Sequence, residues 1–137
     1  MRLRDLDAQF VYDAHKGGLM RSDSSSVNAM QGVMFQCPKC GEGLERDEEE
    51  GRRFIRGAHY IRVFFSNPSG VAPAPDDADL RNDGTPNPRW RIESGTTLDD
   101  LTLSPSIDCN IPWKDTEGVE HESSCKFHGF VRNGDAA

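Results

Sequence analysis

Apolar and polar positions alternate in short runs along this chain, and no segment repeats at helical spacing over three turns. Gln9-Phe10-Val11-Tyr12 alternates, residues 22–26 are Ser-rich, and the apolar run Val33-Met34-Phe35 leads into Cys37. The last of these reads as a strand entering a tight knuckle. Between residues 53 and 65, Phe54, Tyr60, Val63, Phe64 and Phe65 supply the aromatic and β-branched content that favours strands, so one long strand or two short ones are expected. The pattern resumes at Trp90-Arg91-Ile92-Glu93, turns at Ser94-Gly95, and continues through Leu98, Leu101, Leu103 and Ile107-Asp108-Cys109. Phe127-His128-Gly129-Phe130-Val131-Arg132 reads as a last strand stopped by the turn dipeptide Asn133-Gly134. The expected fold class is mainly β: short antiparallel strands with long loops.

Two stretches break the pattern. Residues 45–50 carry five acidic groups in six positions, which cannot be buried and predict a solvated hairpin tip or loop. Residues 66–89 hold five of the eight prolines together with Asp76-Asp77-Ala78-Asp79, and predict a long, extended Pro/Asp-rich insertion with no core of its own. On that reading, this insertion, the serines at 22–26 and the last four residues are mobile in an isolated chain and become ordered against neighbouring chains.

A length of 137 residues suits one domain spanning 1–137. A hydrophobic content of 35% and a mean hydropathy of -0.68 are lean for a globular protein, so some extra fastening is expected. The formal net charge of -7 opposes general attraction to nucleic-acid phosphates or anionic membranes, although Arg52, Arg53, Arg56 and Arg62 can form a local basic stripe. Met1-Arg2-Leu3-Arg4-Asp5 is followed by no apolar run of signal-peptide length. The most apolar region, Ile61 to Phe65, is interrupted by Arg62, so no membrane span and a soluble chain are expected.

Without a secretion signal, the four cysteines point to metal ligands or thiols rather than disulfides. Cys37-Pro38-Lys39-Cys40-Gly41 brings two thiolates round a tight turn, with the glycine relieving backbone crowding. Its complement is Cys125-Lys126-Phe127-His128, which starts 85 positions after Cys40, so two knuckles furnish a Cys3His set for one structural Zn2+: Cys37, Cys40, Cys125 and His128. That zinc would staple the two ends of the chain into a single β domain. A redox-active Cys-x-x-Cys is a competing reading, but it calls for a following helix to lower a thiol pKa, and Gly41-Glu42-Gly43 continues as loop. Unligated thiols at a turn are another. Alternation puts Cys109 on the face of Ile107, as a buried apolar thiol; if it reaches the metal instead, His128 is the ligand it displaces. His121 lies in an acidic stretch, and His15 and His59 have no companion at ligand spacing.

Leu101-Thr102-Leu103-Ser104-Pro105-Ser106-Ile107, the run from Cys125 to Gly134 and the upstream Cys37-Pro38-Lys39-Cys40-Gly41 together resemble a family of small uncharacterised phage and prophage proteins. Trp90 and Gly95 match that family's middle element. Its members often carry the label ammonia monooxygenase, an activity that needs membrane-spanning helices and a copper site, and this chain has no spanning segment. The acidic tip at 45–50, the insertion at 66–89 and the spacer at 110–124 depart from the family pattern.

The resemblance implies a non-enzymatic phage structural or interaction protein, a virion accessory such as a capsid decoration or minor head protein. Its partners would be other virion chains, met through residues 66–89, and its location the virion or otherwise the host cytoplasm. No small-molecule substrate, membrane or nucleic acid is expected. One alternative is an acidic host-directed inhibitor that occupies a basic site on a nuclease or polymerase. Another is a zinc-dependent hydrolase, which needs an open metal position and a nearby carboxylate base.

Overall fold

The computed structural model describes the chain except for residues 16–17, 82, 110–112 and 122–126, and except for the side chains of Ala14, His15, Trp113 and Lys114. The first strands in chain order are β1 (Gln9–His15), β2 (Gly18–Arg21), β3 (Gly32–Gln36), β4 (Arg46–Glu49), β5 (Arg52–Ile55) and β6 (Tyr60–Phe64). They are followed by β7 (Arg91–Ser94), β8 (Thr102–Ser104), β9 (Ile107–Asp108), β10 (Trp113–Lys114), β11 (Glu120–His121), β12 (His128–Gly129), β13 (Val131–Arg132) and β14 (Asp135–Ala136). Among the described residues the only helices are two short 3-10 turns, Leu3–Asp5 and Asp76–Ala78, so the fold is mainly β as the alternation predicts. None is long and apolar enough to cross a membrane.

The central element is an antiparallel sheet in the order β2-β1-β3-β6. Its register pairs Phe10 with Val33, Val33 with Val63 and Phe35 with Ile61, which puts these apolar side chains on one face. That face is the wall of the main core, which Leu3, Leu6, Phe65, Leu101, Leu103, Ile107 and Val131 complete. The opposite face carries Val11, Met34 and Phe64, and residues from the Pro/Asp-rich insertion cover it. Ala74 and Ala78 are buried there, Arg62 pairs with Asp79 at 3.8 Å, and the Arg89 guanidinium lies 5.9 Å from the Phe64 ring centre while donating to the Pro75 carbonyl. Gln31 reaches the insertion as well, donating to Ala72 O. The expectation looked only to neighbouring chains for order at 66–89, and the chain's own sheet supplies contacts to it as well. The segment has no core of its own, but two alanines and a handful of polar contacts seat it on the sheet.

The acidic stretch at 45–50 is a hairpin with cross-strand charge pairing: Glu48 opposes Arg53 and Glu49 opposes Arg52. The serines at 22–26 close a chain of local turns in which the Ser22, Ser24 and Ser26 hydroxyls accept from the amides of Ser24, Ser26 and Asn28. Asn133 and Gly134, both at positive φ, form the two-residue turn between β13 and β14. The chain therefore folds back instead of stopping there. Ala136 is buried and exchanges backbone hydrogen bonds with Met1, which corrects the expectation of a mobile tail.

Candidate metal centre

Strand β3 delivers the Cys-x-x-Cys turn, and β6 starts beside it. The β3–β6 register ends on the pair Gln36 and Tyr60, and one step further the Cys37 amide donates to the His59 carbonyl at 2.8 Å. His59 therefore stands opposite Cys37. Cys37 is fully buried, and Cys40 and His59 are half-buried. The ligand atoms of the three residues all lie within 4.8 Å of one another, with Cys40 Sγ and His59 Nε2 at 4.0 Å. Around a tetrahedral zinc a sulfur and a nitrogen ligand stand about 3.5 Å apart, so an ion draws the Cys40–His59 pair together by about half an ångström.

The surrounding chain holds the turn in shape. Gly41 N donates to Cys37 O at 3.0 Å, and the Cys40 amide donates to Cys37 Sγ at 3.4 Å. A Cβ on Gly41 would come within 2.5 Å of Ile55 Cδ1, so any larger residue there forces the Ile55 side chain, packed on the knuckle from β5, to shift. The buried side chain of Gln36 fastens the same junction: its Oε1 accepts from Ile55 N at 2.7 Å and its Nε2 donates to Ile55 O at 2.8 Å. The Cys2His group thus sits where β3, β6 and the β4–β5 hairpin meet, and it can hold a metal ion. Among the described residues, no carboxylate oxygen joins it. Residues 41–44 continue as turn, without the helix that a redox-active Cys-x-x-Cys calls for.

Of the four ligands read from the sequence, Cys37 and Cys40 are brought together, and Cys125 lies outside the described residues. His128 is on β12, exposed, with its Nε2 3.2 Å from Ser106 Oγ and its backbone paired with Asp108 of β9. Cys109 is half-buried against the main core, with its amide bonded to Phe127 O. His59 is the member that spacing missed. A signal for it existed only in the strand register: once β3 and β6 are paired, the residue opposite Cys37 is His59. His121 is exposed and its Nε2 lies 2.8 Å from Asp115 Oδ2, a contact that, first among its causes, holds the Asp115 carboxyl below the usual range. The side chain of His15 is outside the described residues.

Each arginine of the stripe faces a carboxylate. Arg52 faces Asp7, Arg53 faces Asp5, Arg56 faces Asp47 and Arg62 faces Asp79. Compared with known proteins, the chain matches no protein-family model, no curated protein and no solved structure.

Proposed function

We propose that this chain is a non-enzymatic structural protein whose β domain is locked by one zinc ion, held by Cys37, Cys40 and His59 with Cys125 as the fourth ligand. The observation that carries this reading is the seat of the Cys2His group, with a buried Cys37 at the junction of β3, β6 and the β4–β5 hairpin. An ion there cross-links three segments that are far apart in the chain. A hydrolase site would need an open ligand position and a carboxylate base, and among the described residues no carboxylate oxygen stands with the three ligands. Two thiolates and an imidazole select zinc over the oxygen-preferring divalent ions.

The resemblance to small phage proteins supports placing the chain in a virion, as a capsid decoration or minor head protein. The outer side of residues 66–89 would then meet neighbouring chains, since most of its prolines and aspartates are exposed once Ala74 and Ala78 are docked. The acidic-inhibitor reading draws on the exposed Glu48, Glu49 and Glu50 at the hairpin tip. Quantitative mass spectrometry of purified particles, paired with metal analysis of the isolated chain, tests the proposal. Stoichiometric copies in the particle and about one zinc per chain are expected. Particles without the chain would overturn the virion role, and a metal-free folded chain would overturn the zinc.

A further inference from the structure

Away from the cysteines, one buried carboxylate organises a cluster that the metal site does not use. Asp7 follows the first 3-10 turn at a φ of 50°, in the left-handed region that Asp tolerates better than most residues, and its side chain is 2% exposed. Its Oδ2 accepts from the Tyr60 hydroxyl and from Arg21 Nη2 at 3.3 Å, and its Oδ1 faces Arg52 Nε at 3.2 Å. The Arg21 guanidinium also stacks over the Tyr60 ring, 5.1 Å from its centre. One carboxylate is thus shared by two guanidinium groups, and the cluster keeps one positive charge.

That charge faces a cleft. Arg52 meets Asp7 only as an ion pair, with Nε at 3.2 Å from Oδ1, and its two terminal amino groups have no partner among the described residues. Arg52 lines a cleft of about 280 Å³ together with Arg4, Arg53, Ser24 and Ser25. Arg53 is paired with Asp5, so the charge left to the cleft is that of Arg52, which shares Asp7 with Arg21, and of Arg4, against the carboxylate of Asp23. Asp23 Oδ1 is turned to the Gln9 amide at 3.4 Å, and Arg4 is only within 4.0 Å of its nearest carboxylate, Asp99. The two terminal amino groups of a guanidinium present parallel N–H donors, the geometry that matches two oxygens of one oxyanion. The Ser25 hydroxyl, also without a partner among the described residues, adds a third donor.

We infer that this cleft binds a phosphate group, free or as a small phosphate monoester, with Arg52 as the bidentate anchor and Asp7 as the residue that positions it. Inorganic phosphate and ribose phosphate share this chemistry, and titration of the zinc-loaded chain with each of them, followed by amide and arginine Nε–H NMR shifts, separates the two sources. Saturable shifts at Arg52 Nε–H and at the Ser25 amide are expected, stronger for whichever source is the true ligand. Arg52→Gln is expected to weaken binding about tenfold or more, as loss of a bidentate charged contact does. Arg56→Gln, on the same hairpin but paired with Asp47 outside the cleft, is expected to leave it unchanged. No saturation by either compound in the wild-type chain would overturn the inference, and so would equal weakening by Arg56→Gln, which marks binding to general surface charge. Because the wild-type shift map decides on its own, an Arg52→Gln chain that fails to fold does not remove the test.

Discussion

The knuckle at the end of β3 and the ladder of β9 and β12 each carry a Cys and a His, and they differ in what the backbone does with them. At the knuckle, a turn and a strand register converge, so Cys37, Cys40 and His59 share one small volume beside the core. On the ladder, Asp108 opposite His128 and Cys109 opposite Phe127 send side chains to different faces, leaving His128 exposed against Ser106 and Cys109 half-buried. Spacing along the chain nominated Cys37 and Cys40 together with Cys125 and His128, with Cys109 as a buried thiol and His59 without a companion. Cross-strand position adds His59 to the knuckle cysteines, because a ligand set depends on which residues face each other and not only on how far apart they are in sequence.

The largest effect that can break this contrast is loss of a knuckle thiolate. Cys40→Ser is expected to lose bound zinc and cooperative melting together, since structural zinc contributes on the order of 10 kcal/mol, as much as the whole stability of a domain this size. Metal analysis and a thermal melt check it, and a metal-free variant that melts like the parent would contradict it. Next in size is the pair of histidine variants. His59→Ala is expected to bind zinc far more weakly, whereas His128→Ala keeps the metal and shifts stability by no more than about 0.5 kcal/mol, as exposed substitutions do. A zinc competition titration that gave the reverse order would move the histidine ligand from His59 to His128.

Packing effects come below these. Gly41→Ala drives a Cβ against Ile55 and is expected to cost about 1–3 kcal/mol in a denaturant melt, with zinc retained. Cys109→Ala is expected to keep the zinc and lose roughly 1–2 kcal/mol of packing, and loss of metal in that variant would move Cys109 into the ligand set.

The smallest effect concerns Tyr60, the neighbour of His59. Burial first, then the hydrogen bond to Asp7 and the charge of Asp7, raise its hydroxyl above the ordinary 10.0. Ionisation is therefore easier in the unfolded chain. The contribution is fully present below the ordinary value and is lost as pH rises through the raised one. Alkaline melts of the wild type are expected to show this added loss, and Tyr60→Phe is expected to lack it.

Much of the strand pattern was legible because alternation reports directly on a sheet with a core face. Gln9-Phe10-Val11-Tyr12 became part of β1, Val33-Met34-Phe35 became β3, and the aromatic region at 53–65 split into β5 and β6. Residues whose role depends on pairing were not legible. His59 acquires its companions only through the β3–β6 register, and nothing within a few residues of it in the chain predicts that. The insertion at 66–89 is anchored by Ala74 and Ala78, whose small side chains give no hydrophobic signal amid prolines and aspartates, yet are what fits against Val11 and Phe64. The tail was misjudged for the same reason: Gly134 and Ala136 are small, and their burial depends on Met1 and Leu101 arriving from elsewhere in the chain.

Zinc-edge X-ray absorption on the metal-loaded wild-type chain tests the central claim most directly. The account predicts a mixed shell, with sulfur at about 2.3 Å and one imidazole nitrogen at about 2.0 Å, in which the nitrogen contribution disappears or is replaced in His59→Ala and persists in His128→Ala. A shell of nitrogen and oxygen alone, or a nitrogen contribution that follows His128 rather than His59, would contradict it.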